Sequence, residues 1–302
     1  MVTTTHIPVL FDEVMQLLQP RSGGRYLDCT LGGGGHTAGL LQASAPDGIV
    51  LAADADASAI ARAKVRFATA GSRLILRQCW LDELPDLADA LELAPFDGIL
   101  ADLGLCSDQL EDPARGFSFT HDGPLDMRFN PQQSMSAAEW LQHTDLPTLT
   151  RVLREYGELP RADVIARAIW QARPIRTTSQ LRDVVQKLVR RRNARLHPAT
   201  LVFQALRIAI NDELQRLARA LPRLIAMLHR GGRLAVISFH SLEDRIVKQC
   251  FRASASGTAQ AERDISLPAT RLITRRPLVP TSAEVARNPR ARSAKLRVVE
   301  RL

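Results

Sequence analysis

The sequence has few cysteines, and their spacing argues against two classes of small, cross-linked protein. Cys29, Cys79, Cys106 and Cys250 are far apart, and no two of them form a C-x-x-C pair. A disulfide framework or a zinc site built on paired cysteines normally shows closer and more regular spacing. We therefore expect reduced thiols, as in the cytosol.

Membrane and export signals are also missing. No uninterrupted apolar run reaches the length that crosses a bilayer, and residues 1–5 lack the charged and apolar regions of a signal peptide. The sequence shows no internal repeats, no low-complexity tracts and no cluster of metal ligands. These absences predict a cytoplasmic globular protein with no membrane partner and no bound metal.

Positive charge is in excess. The 302 residues include 40 lysines and arginines against 32 acidic residues, a formal net charge of +8, and 45% of the residues are hydrophobic. That apolar content is sufficient for a real core. The charge favours a polyanionic partner such as nucleic acid, although a merely basic soluble enzyme is about as consistent with charge alone. The candidate phosphate-binding segments are Arg173–Arg176, Arg190–Arg195 and Asn288–Ser293; the alternative is that they form solvated faces.

A glycine-rich segment, Asp28–His36, stands between a predicted strand and a predicted helix. Gly33, Gly35 and Ala38 match the G-x-G-x-x-G/A spacing of a nucleotide-binding loop. The match is weak alone, since a flexible turn would also contain glycines. The next predicted strand is followed directly by Asp54, which suits the hydroxyls of a ribose. Together the loop and the acid indicate an adenosine-type cofactor.

Strands and helices alternate through the first third of the chain. This pattern predicts a doubly wound parallel sheet, in which ligands bind beyond the carboxyl ends of the strands. Asp28, Asp54 and Asp102 all lie at or near such ends. Three acidic side chains at this edge of the sheet suit a cofactor that carries hydroxyl groups and a positive charge. Trp80, just past the third strand, is equally consistent with stacking on an adenine and with core packing.

The alternation then stops. A long glycine- and proline-punctuated loop, Gly104–Phe129, is followed by several predicted helices, and strands resume only near Arg233. Two closing segments, near residues 270–275 and 294–300, alternate as strands. We predict a sheet domain of residues 1–130 and 206–302, and an inserted helical substrate-recognition domain of residues 131–205.

An ordered set of motifs resembles one known family. The motifs are His6-x-Pro-Val-Leu10, Asp28-x-Thr-x-Gly-x-Gly-Gly-His36, Asp102-Leu-Gly, Arg115-Gly-Phe-Ser-Phe119, Asp122-Gly-Pro-Leu-Asp-Met-Arg128, His197-Pro-Ala-Thr200, Ser238-Phe-His-Ser-Leu-Glu-Asp-Arg245 and Asn288-Pro-Arg-Ala-Arg-Ser293. In this order they resemble the ribosomal RNA small-subunit methyltransferase H (MraW) family. The resemblance covers nearly the whole chain.

The resemblance implies a class I S-adenosylmethionine-dependent methyltransferase. Its fold would be a Rossmann-like doubly wound sheet with an antiparallel last strand and an inserted all-helical domain. Its substrate would be the N4 amine of a cytidine in 16S rRNA, near the decoding centre of the small ribosomal subunit. The protein would act as a monomer or a homodimer.

The resemblance also implies roles for individual residues. The family's cofactor positions fall on Gly34, Gly35, His36, Asp54, Trp80, Asp102 and Gln109, and Asp102 is also the candidate catalytic residue. Trp80 replaces the usual phenylalanine and keeps an aromatic ring. Cys106 replaces a usual serine, which puts any role of that hydroxyl in doubt. Phe117 or Phe119 is a candidate to stack on an extruded base, with core packing as the alternative.

Three other hypotheses remain open at this stage. Cys106 could be a nucleophile, as in cytosine C5 methylation, although no partner base is evident. A nicotinamide-dependent dehydrogenase could use the same glycine loop. A non-catalytic RNA-binding assembly factor could carry a degenerate cofactor site.

Overall fold

The computed structural model describes residues 7–132, 135–188, 198–256 and 269–302. The chain forms two compact units. Unit 1 comprises Met1–Gly104 and Leu214–Leu302, and unit 2 comprises Leu105–Glu213. Three features predicted from the sequence, His6, His197 and the basic segment Arg190–Arg195, lie outside the described residues.

Unit 1 is built on one sheet. Seven strands of the described chain belong to it: β1 (Arg25–Asp28), β2 (Ile49–Asp54), β3 (Leu74–Gln78), β4 (Phe96–Asp102), β5 (Leu228–Ser238), β6 (Thr270–Leu272) and β7 (Lys295–Arg301). Their order is β3-β2-β1-β4-β5-β7-β6. The first five strands run parallel, and β7 is antiparallel to both β5 and β6. This arrangement confirms the predicted class I methyltransferase fold.

Helices connect the strands and form most of unit 2. The chain order is α1 (Phe11–Leu18), α2 (Gly35–Ala43), α3 (Ala57–Arg66), α4 (Leu84–Ala90), α5 (Ser107–Glu111), α6 (Ala137–His143), α7 (Leu146–Glu155), α8 (Ala162–Gln171), α9 (Thr178–Leu188), α10 (Pro198–Asn211), α11 (Glu213–Ala226), α12 (Ser241–Ser256) and α13 (Ser282–Arg287). The described part of unit 2 contains helices and loops, with an isolated β-bridge between Pro124 and Thr177.

Both faces of the sheet are covered by apolar side chains. Along β1, Tyr26 belongs to a core with α1, α2 and α3, whereas Leu27 belongs to a core with α4, α11 and α12. On β2, Val50 belongs to the same core as Tyr26, and Leu51 belongs to the same core as Leu27. Burial on both faces explains why these strands read as continuous apolar runs in the sequence.

Unit 2 has its own core and wider bounds than the predicted insert of residues 131–205. Phe117, Leu125 and Met127, which belong to the long loop before α6, are buried in the unit 2 core. Ile210, near the end of α10, is buried there too. The loop and the end of α10 therefore belong to unit 2, which extends from 105 to 213.

Candidate cofactor site

The glycine loop leads from the end of β1 into α2. Gly34 is the N-cap of α2, with a φ of 76°, and no side chain caps the helix there. A Cβ at Gly34 would lie 2.8 Å from the ring of Phe67, and one at Gly35 would lie 2.6 Å from Cγ of Pro8. Both positions therefore require glycine on steric grounds. The first N–H groups of a helix that lacks a side-chain cap are a favourable place for polar ligand atoms.

Asp28, the last residue of β1, is hydrogen-bonded to this loop and to α2. The residue is only 1% exposed. Its carboxylate accepts hydrogen bonds from Thr37 Oγ1, at 2.6 Å, and from the Thr30 N–H, at 3.2 Å. Burial raises the pKa of Asp28, and these hydrogen bonds oppose the rise. Asp28 therefore holds the loop against α2.

Asp54 ties the same loop to the end of β2. One carboxylate oxygen accepts the Gly32 N–H at 2.8 Å, and the other accepts the Asp56 N–H at 2.9 Å. Burial raises the pKa of Asp54 to about 6, and the two backbone hydrogen bonds oppose the rise. A carboxylate has about four acceptor sites, so each oxygen can still accept a hydroxyl.

Asp102 ends β4 in a different environment. Its backbone N–H donates to Thr30 Oγ1 at 2.6 Å, which links β4 to the glycine loop. Its side-chain Oδ1 is buried and has no hydrogen-bond partner among the described residues. Burial raises the pKa of Asp102 well above its ordinary value, and the charges of Asp28 and Glu243 raise it further. An unsatisfied buried acceptor of this kind calls for a functional explanation.

Two further predicted residues lie in unit 1. Trp80 follows β3 and is 7% exposed, and Cζ of Arg216 lies 4.1 Å from the centroid of its ring. His36 is buried in α2, and its ring centroid is 5.9 Å from that of Phe11 in α1. His36 therefore contributes to the packing of α1 on α2, and its cofactor contact remains a prediction.

Sequence analysis assigned no role to Glu243 or Thr30, although both belong to the motifs that carry the family resemblance. Glu243 is 3% exposed in the first turn of α12. Its Oε2 accepts the N–H groups of Phe239 and His240, at 2.8 and 3.3 Å, and its Oε1 lies 3.1 Å from His240 Nε2. The sequence signal for Glu243 was an acidic residue in the first turn of a helix that follows a buried strand. Its proximity to Asp102 depends on the pairing of β4 with β5.

The remaining predicted residues belong to unit 2. Gln109 lies in α5, where its Oε1 accepts the Cys106 N–H at 3.1 Å as part of a capping box. Phe117 packs against Phe129, and Phe119 packs edge-on against Phe203. The cofactor role of Gln109 and the base-stacking role of the two phenylalanines therefore remain predictions.

The described residues contain neither a cluster of metal ligands nor a membrane-spanning helix. No group of three or more histidine, cysteine, aspartate or glutamate side chains within them is arranged to hold a metal ion. In the same parts of the chain, no helix combines the length and the apolar character needed to cross a membrane.

Comparison with known proteins connects this site to a family of methylases. The profile of the MraW methylase family matches residues 3–302. Three relatives are called ribosomal RNA small subunit methyltransferase H. The chain is 48% identical over 309 residues to that of Thermomicrobium roseum, with 100% of this chain and 95% of the relative covered. It is 48% identical over 303 residues to that of Dehalococcoides mccartyi, with 98% and 86% covered. It is 48% identical over 308 residues to that of Citrifermentans bemidjiense, with 98% of each covered. Since the profile spans almost every residue and the relatives share nearly half of them, this chain belongs to the MraW methylase family.

Proposed function

We propose that this protein transfers a methyl group from S-adenosylmethionine to ribosomal RNA of the small subunit. The acceptor is the N4 amine of a cytidine in 16S rRNA near the decoding centre. Membership of a methylase family and the names of the close relatives support this proposal. The single observation that carries it in the structure is the buried, unpartnered Oδ1 of Asp102, next to a glycine loop.

The residues at the sheet edge fit the proposed cofactor. Gly34 and Gly35 let the backbone come close to a ligand where a side chain could not be accommodated. Asp54 accepts the ribose hydroxyls, and Trp80 provides an aromatic wall for the adenine. Oδ1 of Asp102 accepts a polar hydrogen that none of the described residues supplies. When bound, S-adenosylmethionine supplies a methyl group that its sulfonium makes electrophilic.

Asp102 is also the proposed acceptor for the substrate amine. The amine of cytosine is a weak nucleophile because its lone pair is delocalised into the ring. A carboxylate that accepts one amine N–H localises that pair and can receive the proton. The raised pKa of Asp102 suits this task, because a more basic carboxylate is a better proton acceptor. Fixing the amine beside the reacting group contributes an entropic part of the rate enhancement.

Unit 2 and the basic segments are the proposed contacts to RNA. Arg176 and Arg292 are exposed. Arg173 is instead held within unit 2, where it donates to the backbone oxygen of Thr144 at 2.8 Å and lies over Trp170. Exposed arginines bind phosphates without reading sequence, and they widen the footprint beyond one nucleotide.

Two measurements test the proposal: the ligand bound to the purified protein and the methylated nucleoside that the protein produces. Mass spectrometry of the purified protein should detect bound S-adenosylmethionine, and incubation with undermethylated small-subunit particles should yield N4-methylcytidine after nuclease digestion. Detection of 5-methylcytidine would instead favour Cys106 as a nucleophile. A protein that binds neither S-adenosylmethionine nor its demethylated product would contradict the proposal and favour a non-catalytic assembly factor. A dehydrogenase is already disfavoured by the family assignment.

A separate experiment tests the proposed contacts between the basic segments and RNA. Changing Arg190, Arg191, Arg192 and Arg195 to glutamine should lower the affinity for small-subunit particles and flatten its salt dependence. Binding of S-adenosylmethionine should stay the same. The double change Arg62→Gln and Lys64→Gln removes two exposed charges from α3 of unit 1 and is the control, which should bind the particles like the wild type. Equal affinity and salt slope in the quadruple variant would show that this segment is only a solvated face.

A further inference from the structure

An arginine of α11 covers the ring of Trp80. Cζ of Arg216 lies 4.1 Å from the ring centroid, and its Nη1 donates to Oδ1 of Asp82 at 2.6 Å. The side chains of Arg216 and Asp82 are 24% and 15% exposed. A cation held over a tryptophan ring interacts most strongly when both are shielded from water, and tryptophan is the best of the aromatic partners.

The helix that carries Arg216 is firmly anchored. The apolar face of α11 is buried against the sheet through Leu217, Ala220, Leu221 and Leu224. Three arginines, at spacings of three and four residues, lie beside that face. Arg219 binds Oδ2 of Asp82 at 2.9 Å, and Arg223 binds Asp86. The segment after β3 is therefore held by a helix that the core keeps in place.

The main chain of Trp80 is held as well. Its N–H donates to Oε2 of Glu83 at 3.1 Å, and its oxygen accepts the Glu83 N–H at 3.1 Å. Arg216 keeps its position over the ring although its Nε is buried without a hydrogen-bond partner among the described residues. A buried guanidinium N–H left unsatisfied is costly, so contact with the ring and with Asp82 determines where the guanidinium lies.

We propose that Arg216 is a positioning residue for the cofactor: it holds the indole of Trp80 in the orientation that forms the adenine wall. The inference rests on the proposed function, because it takes Trp80 to line the cofactor site. It also explains why an indole works here in place of the family's usual phenylalanine. The larger π face of tryptophan binds the cation and still presents an aromatic surface.

Binding measurements test the proposal. Arg216→Met keeps an unbranched side chain of similar length but removes the cation, so the Kd for S-adenosylmethionine measured by calorimetry should rise about 3- to 30-fold. The KM for the cofactor should rise in parallel, with kcat within about twofold. Arg216→Lys should recover only part of the affinity, because an ammonium does not stack as a guanidinium does. Arg219→Gln, which leaves the contact with the ring intact, is the control and should bind like the wild type.

A spectroscopic measurement reports on the ring without the cofactor. The chain has three tryptophans, so changing Trp140 and Trp170 to phenylalanine leaves Trp80 as the sole emitter. Without the Arg216 guanidinium, the Trp80 ring should be more accessible to solvent and freer to move. In Arg216→Met, acrylamide should therefore quench the emission more strongly and the fluorescence anisotropy should fall, while the thermal unfolding temperature changes little.

The outcomes separate this inference from the proposed function. If the wild type binds S-adenosylmethionine, and Trp80→Ala weakens binding but Arg216→Met does not, the positioning role is wrong and the methyltransferase stands. Unchanged quenching and anisotropy in Arg216→Met would also overturn it. If Trp80→Ala itself binds normally, Trp80 is not the adenine wall and the inference falls. If the wild type binds no S-adenosylmethionine, the proposed function fails, and the inference fails with it.

Discussion

The carboxyl ends of β2 and β4 differ, although each strand ends in a half-buried aspartate. At the end of β2, both oxygens of Asp54 accept backbone N–H groups, from Gly32 and Asp56. At the end of β4, Oδ1 of Asp102 has no partner among the described residues. Asp54 therefore stabilises the backbone around it, whereas Asp102 keeps an oxygen that accepts no hydrogen bond from the described residues.

Electrostatics separates the two acids further. Burial raises the pKa of both, but backbone hydrogen bonds limit the rise at Asp54 to about 6. Neighbouring charges raise the pKa of both acids, those of Asp56 and Asp28 at Asp54 and those of Asp28 and Glu243 at Asp102. The difference shows that burial alone does not single out Asp102, the proposed catalytic carboxylate. What distinguishes Asp102 is the missing donor, which a bound ligand or substrate amine can provide.

The largest expected effect is at Asp102. Asp102→Ala should abolish methyl transfer to small-subunit particles while the protein stays folded, because the proposed acceptor of the amine proton is lost. Asp102→Asn is the matched control for the fold. It keeps the size and shape of the side chain without the carboxylate, so it should stay as stable as the wild type in urea unfolding and still lose methyl transfer. Near-normal turnover in Asp102→Ala would remove both proposed roles from this residue.

Asp54→Ala should mainly affect cofactor binding. Loss of a charged acceptor for the ribose hydroxyls should weaken binding of S-adenosylmethionine by about 1–3 kcal/mol in titration calorimetry. Some destabilisation of the glycine loop is expected too, because the Gly32 N–H loses its acceptor. Comparison with Asp28→Asn, which alters the loop brace but no proposed ligand contact, separates the two effects. Unchanged affinity would remove Asp54 from the site.

The pKa of Asp54 makes a prediction about stability and pH. Since its pKa rises from 3.8 to about 6 on folding, the folded state favours the protonated acid. The contribution of Asp54 to stability is therefore full below pH 3.8 and falls as the pH rises toward 6. Between pH 4 and pH 7, the wild type should lose on the order of 2–3 kcal/mol relative to Asp54→Asn in urea unfolding. Parallel pH profiles for the two proteins would contradict this.

The smallest effect is expected at Glu243. Its negative charge raises the pKa of Asp102, so Glu243→Gln should lower that pKa. If Asp102 accepts the proton as a carboxylate, the methylation rate rises with pH through this pKa, and in Glu243→Gln the rise should move to lower pH. Glu139→Gln removes a similar capping carboxylate from α6 and should leave the profile in place. An unshifted profile in Glu243→Gln would mean that Asp102 does not govern it.

Some parts of this site were predictable from local patterns. The alternating strands and helices placed Asp28, Asp54 and Asp102 at strand ends, and the sheet brings those ends to one edge. The roles of the acids were less predictable. Asp28 is one of the three strand-end acids expected beside the cofactor, but it is only 1% exposed, and its carboxylate accepts hydrogen bonds from Thr30 and Thr37 of the loop that it holds. Which donors reach a carboxylate depends on how the loop folds around it, which periodicity does not reveal.

The extent of unit 2 and the cover over Trp80 were not predictable for a related reason. The loop around Phe117 belongs to unit 2 because its side chains are buried in that core, although its sequence contains no helical periodicity. Arg216 is 136 residues after Trp80, and the two meet because α11 packs on the sheet beside the end of β3. Contacts between residues so far apart require knowledge of how the elements pack.

The sequence by itself determined the alternation of strands and helices through β4, the glycines at 34 and 35 and the family, because each depends on residue types at short spacing or on ordered motifs. Only the tertiary structure decided which strand-end acid is satisfied, which charges surround Asp102 and which cation covers Trp80. These properties come from strand order and helix packing, which place distant parts of the chain within a few ångströms. The pKa and the hydrogen bonding of a buried group respond to those neighbours, whatever their separation along the chain.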